Sequence, residues 1–178
     1  EITLNDTPIS KYILAEYRDL FGTVFQNYKV FSLSVTNNIL LKLNPNDQEK
    51  ILAIDGMKNS GIYDKISTLP KGADTILTRE FDDEGAVLSG GECQKIAISR
   101  VFAKPCEIVI LDEPSSTLDP VSEYQMYESM MKACKNKAVI FISHRLSSAV
   151  LADKVYLLEN GQIEEEGFYD LEVGSNDP

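Results

Sequence analysis

Ser89-Gly90-Gly91-Glu92 is the first group of residues in this chain whose types and spacing could do chemistry. As a capping box, the serine sits at a helix N-cap, the glutamate lies three residues on, and two free backbone donors are satisfied. That accounts for Ser89 and Glu92, but not for two glycines in a first helical turn, each costing about 1 kcal/mol against alanine. Glycines there leave the backbone open to close approach, and a helix start with bare N–H groups and a serine hydroxyl is an anion site. The run Ile108-Val109-Ile110-Leu111 then ends in Asp112-Glu113-Pro114. Four consecutive apolar residues describe a strand buried on both faces, and ligands of open parallel sheets sit beyond the carboxyl ends of the strands. There Asp112 can hold Mg²⁺ through water, and Glu113 can take a proton from an attacking water; the plainer reading is an acidic pair in a surface loop.

His144, the only histidine, follows a second apolar run. A lone histidine is ordinarily a loop residue, but an imidazole at a strand end could hydrogen-bond a γ-phosphate and orient water. Gln26 closes a third extended run, Gly22-Thr23-Val24-Phe25. Its carbonyl could ligate Mg²⁺ and its amide could contact the same water, although a polar strand end is the default. Asp119 before Pro120 is a good N-cap with proline at the first helical position, and it could also signal across a dimer interface. Gly56-Met57-Lys58-Asn59-Ser60-Gly61 has the glycine spacing of a phosphate loop but continues Ile62-Tyr63 instead of Lys-[Ser/Thr]. It lacks the lysine and the hydroxyl that such a loop needs and reads as a helix end and turn.

The elements that must position these residues follow from periodicity. Residues 1–9 read as a short strand, a turn at Asn5-Asp6 and a second extended piece; 12–20 is a weak helix or loop, and 22–25 a strand. Phe31, Leu33 and Val35 alternate with polar residues and predict a half-buried strand. Asn46 or Asp47 can cap a helix to about residue 57, with Ile51 and Ile54 on one face, and a second short segment covers 62–67. Ser89 starts a helix to about 103, with Ile96, Ile98 and Val101 apolar. A strand over 107–111 precedes a helix over 120–135 that carries Val121, Tyr124, Tyr127, Met131 and Cys134 at helical spacing. Another buried strand, rich in β-branched and aromatic residues, is expected over 138–142, and a short helix over 146–152 follows. Residues 155–158 and 162–164 flank Asn160-Gly161, a hairpin turn signal, and the tail from Gly174 is frayed. Strands alternating with helices argue for a mostly parallel sheet.

With 178 residues and 43% apolar content, the chain can bury one sizeable core. No apolar run approaches a bilayer's thickness and the start is no secretory signal, so the chain is expected to be soluble by itself while able to dock on a membrane protein. A net charge of -11 argues against a nucleic-acid footprint. Cys93, Cys106 and Cys134 have no metal-ligand spacing and read as reduced thiols.

On these motifs the chain resembles the nucleotide-binding domain of ATP-binding cassette (ABC) transporters, exporter type, over essentially its whole length. Gly22 to Gln26 with the segment 31–39 looks like the Q-loop and the part that meets the membrane domain, and Phe81-Asp82-Asp83-Glu84-Gly85 like a second membrane-facing loop. Leu88-Ser89-Gly90-Gly91-Glu92 is similar to the signature, with Glu92 where the family has glutamine and Lys95 at its arginine-type position. Glu113 to Asp119 resembles the catalytic glutamate and D-loop, and Ser143-His144-Arg145 the H-loop.

The resemblance implies an α/β fold: a P-loop NTPase-type three-layer core with an ABC helical subdomain, lacking the phosphate-loop strand and helix. Residues 36–104 would form the helical, signature-bearing part of a single truncated domain, and 1–35 with 105–178 its α/β core. It implies ATP and Mg²⁺, a second nucleotide-binding domain (identical or different) and the exporter's transmembrane domain as partners, and a place at the cytoplasmic face of the cell membrane. Ser89, Gly90, Gly91 and Glu92 would face nucleotide held by the partner, with Asp119 at the interface; Gln26, Asp112, Glu113 and His144 would serve the chain's own site. Without a phosphate loop, the fragment alone is expected to be inactive. In the family the strand feeding that loop lies beside the one ending in Asp112, so a gap with an exposed apolar edge is expected there, covered by self-association or partial disorder. Alternatives are the ATPase head of a chromosome- or repair-type ABC protein, which would flank coiled coils, and a soluble non-transport ABC module.

Overall fold

The computed structural model describes residues 1–114, 120–144 and 152–168. They belong to two units, 1–142 and 143–178.

In the first unit β1 (Thr3–Leu4) and β2 (Thr7–Pro8) pair antiparallel. They turn on Asn5 and Asp6, whose φ values of 48° and 61° suit these two residue types. α1 (Leu14–Asp19) leads into β3 (Phe21–Val24). The alternation at Phe31, Leu33 and Val35 does not become a strand. Ser34 instead caps α2 (Val35–Leu40), accepting from the Asn37 N–H at 3.1 Å. The reason is one fully buried amide. Asn38 accepts from the Phe31 N–H at 2.8 Å and donates to the carbonyls of Phe31, Leu33 and Ser34 at 2.9, 3.1 and 3.1 Å. Part of the backbone of 31–34 is bonded to this side chain, and what pairing there is stops at a single antiparallel bridge, Ser34 to Ile76, flanked by the Val35 N–H on the Thr75 carbonyl at 3.1 Å and the Leu77 N–H on the Leu33 carbonyl at 2.9 Å.

α3 (Asp47–Ser60) starts on Asn46, which forms a capping box with Glu49, and ends on Gly61 at φ 70°. The stretch 56–61 is therefore helix body and C-cap. Ile51 is exposed; the buried face is Ala53, Gly56, Met57 and Ser60. α4 (Tyr63–Ser67) follows, then α5 (Gly90–Ala103). A methyl group at Gly56 would sit 2.7 Å from the Ser99 carbonyl oxygen, so α3 and α5 touch backbone to backbone. Beside that contact the buried hydroxyls of Ser60 and Ser99 lie 2.7 Å apart. Around it Val35, Ile39, Met57, Ile62, Ile66 and Ile96 are all at most 2% exposed. At about 1.5–3 kcal/mol for each buried side chain, this cluster is what holds the helices together.

β4 (Ile108–Asp112), α6 (Pro120–Ala133) and β5 (Ala138–Ile142) complete the unit. The sheet is parallel, in the order β3-β4-β5, with Val24 opposite Leu111 and Leu111 opposite Phe141. Gly22, Val24, Val109 and Leu111 lie on its buried face. A methyl group at Gly22 would meet the Cys106 sulfur at 2.8 Å and Val101 of α5 at 3.1 Å, and Tyr127 of α6 packs edge-on against Phe141. The buried side of α6 is Glu123, Met126, Tyr127 and Met130, with buried Cys134 just past its end, whereas Val121 and Tyr124 are exposed. The helix is thus rotated from the expected face, sharing only Tyr127 and Cys134 with it. The gap expected beside the Asp112 strand is not there, because β4 is bonded along both edges. Apolar exposure falls on β5 instead, where Ile140 and Ile142 are each 51% exposed.

In the second unit β6 (Lys154–Glu159) and β7 (Gln162–Phe168) pair antiparallel. They join through Asn160 and Gly161 at φ 50° and 78°, the turn that the Asn-Gly pair announces. The D-loop stretch 115–119, nearly all of the helix expected over 146–152, and the tail from Gly174 fall outside the described residues. No helix among those described is long and apolar enough to cross a membrane.

Candidate active site

Because β3 and β4 are parallel neighbours in register, their carboxyl ends lie side by side. Gln26 stands just past one and Glu113 just past the other. The Gln26 side-chain amide donates to the Glu113 carboxylate at 2.7 Å. Glu113 has φ +47° although it precedes Pro114, a position that ordinarily favours extended backbone. A non-glycine residue is held there at a cost of about 1–3 kcal/mol. Its N–H is pinned to the Ile142 carbonyl at 2.9 Å. The two neighbours of β4 divide the work: β5 holds the Glu113 backbone, and the segment after β3 holds its carboxylate. Asp112, the last residue of β4, is half-buried beside it and pairs with Ile142.

The first turn of α5 carries the second set. Ser89 Oγ accepts from the Glu92 N–H at 3.3 Å, and the Glu92 carboxylate accepts from the Ser89 N–H at 2.8 Å. The Ser89 N–H, with Lys65 at 3.5 Å, holds the Glu92 carboxyl below the usual carboxylate range. A methyl group on Gly90 would meet nothing within 4 Å. The chain's own packing therefore gives no reason for glycine there, in contrast to Gly56.

Between the two sets runs the segment 26–34, and sequence reasoning missed what holds it. The Tyr28 hydroxyl donates to the Gly90 carbonyl at 3.0 Å. Arg100 of α5 donates to the Lys29 carbonyl at 2.6 Å and the Asn38 carbonyl at 2.9 Å, and its guanidinium lies over the Phe31 ring. Burial pushes the Arg100 guanidinium below its ordinary pKa. One signal was available for Asn38: a polar residue beside Ile39 and three after Val35, at a core position of a helical pattern. Tyr28 and Arg100 carried none.

Of the sequence-predicted residues, Gln26, Asp112 and Glu113 come together at neighbouring strand ends, and Ser89, Gly90, Gly91 and Glu92 share one helical turn. His144 belongs to the second unit, where it is exposed two residues after the end of β5. Asp119 lies outside the described residues. Among the described residues no group of three or more His, Cys, Asp or Glu could hold a metal ion. Magnesium asks for less: one or two protein oxygens, with water and phosphate completing its shell. The Asp112 carboxylate and the Gln26 carbonyl are hard oxygen donors at adjacent strand ends and fit that requirement.

A parallel α/β unit with its acidic pair at the strand ends and a glycine-fronted helix attached is the arrangement of a nucleotide-handling domain. The family described as ABC transporter matches residues 1–116, and the chain belongs to that family. It is 37% identical over 168 residues to the ABC multidrug transporter MDR1 of Cryptococcus neoformans, covering 93% of this chain and 12% of that protein. It is 35% identical over 167 residues to the ATP-dependent lipid A-core flippase of Alcanivorax borkumensis, covering 93% and 28%. A solved structure of a bacterial Atm1-family ABC exporter with ATP bound superimposes with a TM-score of 0.78 at 29% identity, covering 92% of this chain and 27% of that one. The chain thus spans between about an eighth and under a third of these relatives.

Proposed function

We propose that this chain is the C-terminal part of the ATP-binding and ATP-hydrolysing domain of an ABC membrane exporter, coupling hydrolysis to transport. The observation that carries the reading is the Gln26–Glu113 contact at the ends of β3 and β4, with Glu113 held at a strained φ. In this reading Glu113 takes the proton of the attacking water on a carboxylate oxygen, and Gln26 fixes where that carboxylate points. His144 hydrogen-bonds the γ-phosphate. Asp112 and Gln26 would hold Mg²⁺, which when bound neutralises charge on the phosphates. Ser89, Gly90, Gly91 and Glu92 present an open helix start to nucleotide on a second, identical or different, nucleotide-binding domain, and Asp119 lies at that interface.

Residues 36–104 act as the helical part and the rest as the core of one domain, docked on the exporter's transmembrane domain at the cytoplasmic face of the membrane. The named relatives, a multidrug transporter, a flippase and an exporter, favour this over a chromosome- or repair-type head. Residues 1–178 contain no Gly-x-x-x-x-Gly-Lys-[Ser/Thr] loop, so this polypeptide alone turns over no ATP. The test is Glu113→Gln in the complete protein. ATP binding should persist while hydrolysis falls about 10²- to 10⁴-fold, the usual span for losing a general base. Hydrolysis near the parent rate would remove Glu113 from the role.

A further inference from the structure

The contact between Gln26 and Glu113 is only as well placed as the segment that carries Gln26. That segment is anchored at a second point, on a different element. Two residues after Gln26, the Tyr28 hydroxyl donates to the Gly90 carbonyl at 3.0 Å. One residue further, the Lys29 carbonyl accepts from Arg100 at 2.6 Å. Both partners lie on α5, one in its first turn and one near its end. We propose that Tyr28 is a positioning residue for hydrolysis, its hydroxyl transmitting the position of the first turn of α5 to Gln26 and so to the Glu113 carboxylate.

The physical argument has three parts. First, reach: two residues span at most about 7 Å, so a displacement of the Tyr28 end reaches Gln26 with little slack. Second, the nature of the grip: the acceptor is a backbone carbonyl on a residue without a side chain, and a carbonyl has two lone pairs. One lone pair can serve the helix ladder while the other takes the phenol. The bond therefore reports where the helix backbone is, and no rotamer at position 90 can absorb the movement. Third, sensitivity: a misplacement of about 1 Å at a reacting group can cost about 10²-fold in rate. A link that shifts Gln26 by a fraction of that is enough to be felt. Tyr28 is half-buried, so its ring can remain in place when the hydroxyl is removed.

The inference rests on the assignment of Glu113 as the base, and the experiment separates the two. In the complete protein, Tyr28→Phe is compared with its parent in the wild-type and Gln26→Ala backgrounds, with Glu113→Gln as a control. Tyr28→Phe should lower kcat about three- to tenfold, the worth of one hydrogen bond. The KM for ATP should be unchanged and the melting temperature should stay within about 4 °C of the parent. In the Gln26→Ala background the same substitution should cost under about 1.5-fold, because the group it acts through is already gone. An unchanged kcat, or an equal loss in both backgrounds, would overturn the proposal. If Glu113→Gln hydrolyses ATP normally, it is the assignment of the base that fails. Tyr28→His, which keeps a ring donor, should recover part of the rate if the bond to Gly90 is what matters; no recovery counts against it.

Discussion

The helices α3 and α5 begin in nearly the same way. Each has 14 residues, and each is closed by a capping box, Asn46 with Glu49 and Ser89 with Glu92. They differ in what fills the first turn. In α3 the position after the cap is Asp47, whose carboxylate complements the positive end of the helix. In α5 it is Gly90, which adds neither charge nor atoms and faces open space. The caps satisfy backbone donors in both helices alike. Gly90 leaves the start of α5 uncovered, at a cost in helix stability that the chain's own packing does not explain.

Gly90→Asp breaks this contrast most sharply, because it gives α5 the residue that α3 already has. Helix electrostatics should leave stability unchanged or raise it by up to about 1 kcal/mol. ATP hydrolysis by the complete protein should nevertheless fall at least about 100-fold, since a carboxylate would then occupy the anion site. If turnover survives in a steady-state assay, the two helix starts are functionally equivalent. Next come the caps. Ser89→Ala and Asn46→Ala should each destabilise by about 1 kcal/mol in denaturant melts. Only Ser89→Ala should also reduce kcat per folded molecule, by about tenfold.

The smallest effect concerns pH. A hydrogen bond from Lys42 holds the Glu49 carboxyl below its ordinary value, and the Ser89 N–H does the same for Glu92. A depressed folded-state value means that the contribution to stability is complete above the unfolded carboxylate's pKa and disappears as pH falls through the folded one. Glutamine can still close a capping box. Glu92→Gln and Glu49→Gln should therefore each flatten the acid limb of stability below about pH 4.5, and Glu92→Gln should change hydrolysis less than about twofold.

How much of this the sequence disclosed depends on whether a feature is local. The Ser89 cap, the Asn160-Gly161 turn and the strands β4 and β5 are each settled within a few residues and appear where expected, although the burial read from the apolar runs holds for one face of β4 and not for β5, where Ile140 and Ile142 are exposed. The pairing of Gln26 with Glu113 joins residues 87 apart; only the separate placing of each at a strand end pointed to it. The segment 31–35 deceived because its alternation is genuine, yet Asn38 takes much of its backbone and the pairing shrinks to one bridge, Ser34 to Ile76. The face of α6 was misjudged because Val121 and Tyr124 fit the helical spacing as well as Met126 and Met130 do, and Tyr127 fits both; spacing alone does not say which set is buried. Tyr28 and Arg100 work through backbone carbonyls, and that role leaves no trace in residue type.

The tight crossing at Gly56 has a mechanical consequence. With no side chain between α3 and the Ser99 carbonyl, and with two serine hydroxyls locked beside it, neither rod can slide or roll without the other. Fourteen residues make each rod about 21 Å long. A tilt imposed at the tip of α5 must therefore swing its companion as a stiff arm, and a small rotation at one end becomes a larger sweep at the other.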